Sequence, residues 1–326
     1  MKPSLNELLD SARVVALPVV ARFRGIDSRE ALLVEGPQGW TEFSPFVEYD
    51  DAESADWLRA TIDFGWNEAP HALRTSIPVN ATIPAVGPDE VAAVLARFPG
   101  CRTAKVKVAS PDQTLADDIA RVAKVRELLG PEGRIRIDAN GLWTVDEAEK
   151  AIHALNAYDL EYVEQPCATV PELAEIRERT TYLGVPIAAD ESVRKTEDPL
   201  AVARAGAADI LVIKAQPLGG IRAALSIIGQ TGLPVVVSSA LDTSIGISMG
   251  VHLAAAVPGL YFDCGLATAS LLLGDVTGDP LVPVDGAITV RRVTPDPALL
   301  EKYAATPERR DWWLARLERT YALLED

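Results

Sequence analysis

Two rhythms of apolar and polar positions divide this chain. From about Ala12 to Phe46 the rhythm is that of strands. Residues 13–23 and 30–35 are rich in Val and Leu, and Gly36-Pro37-Gln38-Gly39 then turns the chain into Trp40-Thr41-Glu42-Phe43. Apolar runs joined by a Gly/Pro turn predict a β-hairpin. Between the first two runs, residues 22–29 form a polar stretch with a glycine hinge at Gly25. It reads either as a surface turn or as a lid carrying Arg22 and Arg24. Residues 51–64 have acids early and apolar residues at helical spacing, which predicts a helix.

Near Ser76 the rhythm changes. Strand candidates at 77–82, 103–108, 134–138, 161–164, 186–190, 209–214, 235–239 and 260–264 alternate with helix candidates at 89–97, 111–129, 144–156, 170–179, 199–205, 220–229 and 244–255. Pro88 precedes the first helix, Gly130 ends the second, and Thr144 with Glu147 forms a capping box for the third. The strands are nearly all apolar, as parallel strands covered on both faces must be. Eight such repeats with short connections predict a closed parallel barrel of the TIM type. The alternative, an open doubly wound sheet, wants a glycine-rich phosphate loop after its first strand, and residues 80–84 offer none. After about Asp285 the repeat stops. Residues 295–326 are charged and amphipathic, and they are expected to return as a helix to the N-terminal part, with Trp312 and Trp313 as packing residues. The expected division is a capping domain over 1–75, with 286–326 packed on it, and a barrel over 76–285 that carries the active site.

At 326 residues and 48% hydrophobic composition the chain is long enough for one large α/β domain with an accessory part. A net charge of −16 argues against nucleic acid and anionic membrane as partners and leaves a small molecule. The oligomeric state stays open, a monomer included. Cys101, Cys167 and Cys264 lie far apart without CxxC spacing and read as reduced thiols of a cytoplasmic protein. The N-terminus lacks an apolar signal core, and no apolar run is long enough to span a membrane.

Charge appears where apolar strands end. Lys105 and Lys107 share one face of their strand, two residues apart. Asp138, Glu164 and Asp190 follow at intervals of 26 residues, close to one strand-helix repeat, and Lys214 ends the next strand. In a closed barrel these C-terminal ends converge on one mouth. Three converging carboxylates repel one another unless a cation sits among them. An all-oxygen donor set favours a hard ion, Mg²⁺ first and Mn²⁺ next. Asn140 faces the same way as Asp138. Of the neighbours Asp190 and Glu191, Asp190 is last in strand register and is assigned to the metal, with Glu191 behind it as a partner. Such a site can hold a substrate carboxylate and stabilise an enediolate while a neutral lysine removes the α proton.

Lys105-Val106-Lys107, Asp138-Ala139-Asn140, Glu164-Gln165-Pro166, Asp190-Glu191-Ser192 and Val212-Ile213-Lys214 resemble the enolase superfamily, in its muconate-lactonizing-enzyme subgroup. That superfamily is a known case of a Lys or His base working beside Mg²⁺. Residues 39–45 resemble the family's capping hairpin. The resemblance implies a (β/α)7β TIM-type barrel with an α+β capping domain built from both chain ends. It also narrows the reaction. The mandelate-racemase type uses a late His-Asp dyad, and His71, His153 and His252 all lie away from strand ends. Dipeptide epimerases carry Asp-x-Asp at the eighth strand, where this chain reads Asp263-Cys264-Gly265. Residues 262–268 and 237–240 resemble instead the o-succinylbenzoate-forming branch, which dehydrates a cyclohexadiene carboxylate in menaquinone synthesis. On that resemblance Lys107 is the base, Lys105 keeps its pKa low, and Lys214 offers a cation–π contact. Ser238, Ser239 and Gly265 would meet the succinyl arm. An N-acylamino-acid racemase, a muconate cycloisomerase or a non-catalytic carboxylate-binding barrel remain the alternatives.

Overall fold

The computed structural model describes residues 2–23, 25–194 and 198–324, with the side chains of Arg22 and Phe23 outside the described set. Three antiparallel strands open the chain: β1 (Arg13–Phe23), β2 (Ile26–Gly36) and β3 (Gly39–Phe43). The first two run further than their composition suggests. Phe23 pairs with Ile26, Ser28 with Pro18 and Arg29 with Leu17, so most of the expected loop is strand. Asp27, Ser28 and Arg29 read as a loop because they are polar. The pleat nevertheless turns Arg29 inward, where it is buried.

The barrel begins with β4 (Ser76–Pro78) and β5 (Ala81–Ile83), followed by β6 (Thr103–Lys107), β7 (Arg134–Asp138), β8 (Leu160–Glu164), β9 (Ile187–Ala189), β10 (Ile210–Ile213) and β11 (Val235–Val237). Strands β5 to β11 form one parallel sheet in sequence order. The expected first strand is therefore two pieces, and β4 pairs antiparallel with the late strand β12 (Ala287–Thr289). The expected strand over 260–264 does not form among the described residues. Cys264 and Gly265 close the ring in its place. The Cys264 N–H donates to Pro78 O (2.8 Å) and the Asn80 N–H to Cys264 O (3.0 Å). On the other side the Gly265 N–H donates to Val237 O (2.8 Å) and the Ser239 N–H to Gly265 O (3.0 Å). The fold is a (β/α)7β barrel whose eighth stave is two residues long.

Helices Val91–Leu95, Leu115–Leu129, Val145–Leu155, Val170–Thr180, Ala201–Arg204, Ile221–Thr231 and Ser244–Ala256 connect the staves. Capping boxes set several starts: Thr114 with Asp117, Thr144 with Glu147, and Thr169 with Glu172. The Thr114 box moves the second helix start from the expected 111 to Leu115. The C-terminal tail is two helices rather than one, Pro297–Lys302 and Pro307–Ala322, the second capped by Thr306 ahead of Pro307.

Tyr162, Ala188, Ile210, Val212 and Val236 fill the barrel interior. A separate core joins the N-terminal strands to the tail, with Phe43, Trp57, Trp313 and Leu317 buried together. Phe43 meets Trp313 edge-on at 6.0 Å, and the Trp313 indole N–H donates to Glu30 Oε2 (2.7 Å). Burying rings of this size in edge contact contributes about 1 kcal/mol beyond area burial.

Where β3 meets the barrel the contact is polar. Glu42 is fully buried and accepts from the Ser44 hydroxyl (2.6 Å), the Thr243 N–H (3.2 Å) and the Gly246 N–H (3.2 Å). Burial, then the neighbouring Asp242 charge, pushes its pKa up to about 7 against the pull of Arg29 and these donors. A carboxyl raised on folding gives its full stabilisation below its unfolded pKa, and that contribution fades as pH rises through the folded value. Glu42→Gln does not titrate in this window. The stability of the native chain relative to this variant should therefore fall between about pH 4.5 and pH 7. Thermal unfolding of both proteins across a pH series spanning that window measures it, and a constant difference would contradict the assignment.

Candidate active site

Strand register brings the charged ends together. Lys107 pairs in register with Asp138, and Asp138 with Glu164, so three charged groups share one level of the mouth. Glu164 pairs with Ala188, which places Asp190 two residues further up. Lys105 lies one layer lower, beside Arg136. Its long side chain reaches upward, and its ammonium donates to Asp138 Oδ2 (2.9 Å) and Glu164 Oε1 (2.8 Å). Lys107 donates to Asp138 Oδ2 (2.5 Å) and Asn140 Oδ1 (2.8 Å). Lys214 follows β10 and donates to Asp190 Oδ2. Strands β6 and β10 stand four places apart in a ring of eight, so the two lysine groups enter from opposite sides of the mouth.

All three carboxylates are buried. Burial opposes ionisation of Asp138, but Lys105 and Lys107 outweigh it and hold the pKa well below the ordinary value. Asp190 is likewise lowered, burial being overcome by Lys214 and Arg194. Glu164 goes the other way: burial first, then Asp138, push its pKa up to about 8. The lysines also diverge. Burial works against charge on Lys105, yet Asp138 and Glu164 raise its pKa well above normal. Lys107 is lowered by burial, with the Lys105 charge adding to that effect against the pull of Asp138.

Asn140 takes a left-handed backbone (φ 49°), its N–H donates to Asp138 Oδ1 (3.0 Å), and its amide donates to Glu191 Oε1 (3.2 Å). Glu191 also accepts from Arg194 (2.9 Å). Ser238, Ser239 and Gly265 line the same pocket as the lysines. The Ser239 hydroxyl donates to Gly265 O (2.6 Å) and meets Thr268 Oγ1 (2.8 Å), and the Ser238 hydroxyl donates to Gly265 O (3.3 Å). The Arg22 side chain and all of Arg24 lie outside the described residues. Sequence reasoning missed Arg194, Tyr49 and Trp57 in the pocket wall. Arg194 follows Glu191 by three on one helical turn, a spacing that could have marked it. It donates to Asp190 Oδ1 (3.2 Å) and Tyr49 Oη (3.2 Å). Nothing local marked Tyr49 or Trp57.

Among the described residues no three acids stand close enough together to grip an ion as they are, and ammonium groups bond Asp138, Glu164 and Asp190. The donor set itself fits a hard divalent cation. It is three buried carboxylates from adjacent strands, and Glu164 Oε2 is buried without a hydrogen-bond partner among the described residues.

Residues 89–295 match the "Enolase C-terminal domain-like" family model and residues 14–65 the "Enolase N-terminal domain-like" model. The o-succinylbenzoate synthase of Mycobacterium ulcerans is 55% identical over 322 residues, 98% of this chain and 96% of that protein. The o-succinylbenzoate synthase of Mycobacterium tuberculosis is 55% identical over 323 residues, covering 99% of this chain and 97% of its own length. The chain belongs to the o-succinylbenzoate synthase family of the enolase superfamily. Members of the family are lyases, and the superfamily uses Mg²⁺. Solved structures show the same fold. The muconate lactonizing enzyme of Pseudomonas putida is 20% identical with a TM-score of 0.72, over 90% of this chain and 98% of its own. The 2-chloromuconate cycloisomerase of Rhodococcus opacus 1CP is 22% identical with a TM-score of 0.75 over the same shares.

Removing Lys105 leaves Asp138 and Glu164 buried at adjacent register positions with one cation fewer. Lys105→Met in chelator should cost about 3 kcal/mol of unfolding free energy. Urea unfolding in EDTA measures this, and an unchanged stability would mean that Lys105 does not hold the acids together.

Proposed function

We propose that this chain carries out the reaction that gives its family its name, with Lys107 as the base. It would dehydrate 2-succinyl-6-hydroxy-2,4-cyclohexadiene-1-carboxylate to o-succinylbenzoate, a step of menaquinone biosynthesis. Full-length identity of 55% to curated synthases carries this reading. It does not favour the racemase, cycloisomerase or non-catalytic alternatives.

Asp138, Glu164 and Asp190 would hold the Mg²⁺, or Mn²⁺ in its place. The ion supplies a positive charge to the substrate carboxylate as the α carbon loses its proton. Lys107 takes that proton as a neutral amine, a form favoured by its burial and by Lys105. The C–H electron pair moves into an enediolate. Lys107, now an ammonium, returns the proton to the departing hydroxyl on the same face. Water leaves, the new ring double bond completes the aromatic ring, and the base is neutral again. Lys214 enters from the other side and places its charge over the developing π-system. Asn140 and Glu191 support these groups, since Asn140 accepts from Lys107 and donates to Glu191. Ser238, Ser239 and Gly265 would meet the succinyl arm.

The partner on this reading is a small carboxylate, not nucleic acid or membrane. A cytoplasmic setting is supported by three free cysteines. No helix of the described residues is long and apolar enough to cross a membrane. The working division is a capping part over 1–75 and 286–326 around a barrel over 76–285.

Lys107→Ala should lower kcat by about 10³-fold and leave Mg²⁺ affinity within about threefold by calorimetry. Substantial turnover by this variant would remove Lys107 from the base role. EDTA should stop product formation, followed by ultraviolet absorbance, and Mg²⁺ should restore it. Full activity after exhaustive chelation would overturn the metal assignment.

A further inference from the structure

Ser239 and Ala240 line the pocket, yet the segment just after them is held by residues from strands that are distant in sequence. Leu241 has a left-handed backbone (φ 64°), which a residue with a branched side chain adopts only when its surroundings impose it. One group that meets this residue is Arg29 of β2. Its Nε–H donates to Leu241 O (3.1 Å), and its Nη2 donates to Ser44 O and to the Ser44 hydroxyl oxygen (3.0 Å). Arg29 is 2% exposed and faces Asp242 at 3.9 Å. Asp242 Oδ2 accepts from Gln216 Nε2 (2.9 Å). Its Oδ1 is buried with no hydrogen-bond partner among the described residues and depends on Arg29 for charge balance.

Glu42 of β3 holds the residues that follow. It accepts the Thr243 N–H, the Thr243 hydroxyl and the Gly246 N–H, at the N-terminus of the Ser244–Ala256 helix. That helix end is a fitting place for a negative charge. Gly246 makes the approach possible, since a Cβ there would stand 2.8 Å from Glu42 Cδ. An apolar contact would bury the same surface more cheaply. What the two polar side chains add is direction: their donors and acceptors end on backbone groups of the segment that leads out of the pocket wall.

We propose that Arg29 and Glu42 are positioning residues for the substrate, holding Ser239 and Ala240 against the arm of the substrate remote from the reacting carbon. The proposal rests on the synthase reading above. It makes the N-terminal strands part of the specificity apparatus through the backbone of residues 239–246, with neither side chain lining the pocket. Because Ser239 and Ala240 would meet the arm of the substrate and not the reacting carbon, loss of their support reads as weaker binding rather than slower chemistry.

Arg29→Met and Glu42→Gln, with Arg29→Lys as the conservative variant, test it by steady-state kinetics and by hydrogen-exchange mass spectrometry. Each disruptive variant should raise KM for the cyclohexadiene substrate about tenfold with kcat within about threefold. Arg29→Lys should recover part of the loss. Amides of residues 239–246 should exchange at least about tenfold faster, with strands β6 to β8 unchanged. Unaltered KM and exchange, or a fall in kcat at constant KM, would overturn the proposal. Should native protein fail to turn over this substrate, the synthase reading falls. The exchange arm still decides whether Arg29 and Glu42 hold the segment.

Discussion

Three carboxylates buried at the mouth of an apolar barrel are tolerable only because cations meet them. The barrel supplies those cations from its own staves. Lys105 rises from the layer below to bridge Asp138 and Glu164, Lys107 of the same strand binds Asp138, and Lys214 binds Asp190 from the neighbouring stave. Register makes this possible. Parallel pairing of β6, β7 and β8 aligns Lys107, Asp138 and Glu164, while the pleat keeps Lys105 on the same inward face two residues down. A slip of one residue in any of these strands would turn its charge into the apolar layer between sheet and helices.

The same economy governs the junction between the N-terminal strands and the barrel. Glu42 and Arg29 are buried ionisable groups whose partners include backbone groups of Leu241, Thr243 and Gly246. Asp242 stands opposite Arg29 as its counter-charge. Such contacts are directional, whereas most of the contacts around Trp57 and Trp313 are apolar. Packing holds the two parts together, and the polar contacts set how they sit.

Much of this was legible in the sequence because a strand covered on both faces has no ordinary use for a terminal Lys, Asp or Glu. Asp138, Glu164 and Asp190 stood out for that reason, and their 26-residue spacing matched one strand-helix repeat. The eighth stave was misplaced because 260–264 carries the apolar residues of its neighbourhood. Phe262 instead packs toward the barrel interior beside Tyr162, at 6.1 Å, and pairing passes to Cys264 and Gly265. The polar stretch 22–29 reads as a loop for the opposite reason. The partner that draws Arg29 inward, Leu241, lies 212 residues away, and no local pattern carries that information. Arg194 belongs to the same class of residue, since Tyr49 reaches it from 145 residues away.

Lys105 and Lys107 show how little sequence distance is needed to separate two chemical roles. They share a strand, a face and a residue type. Lys105 lies between two carboxylates, and their combined charge overcomes its burial, so it stays an ammonium. Lys107 shares one of those carboxylates, is buried as well, and feels the fixed charge of Lys105 two residues away, so its proton is held less tightly. The first lysine therefore acts on the second: by remaining charged it adds to the burial that disfavours the charged form of Lys107 beside Asp138. Either lysine alone, paired with Asp138, would be a structural ion pair. The pair with a shared carboxylate gives one barrel mouth two lysines whose protons are held with unequal strength.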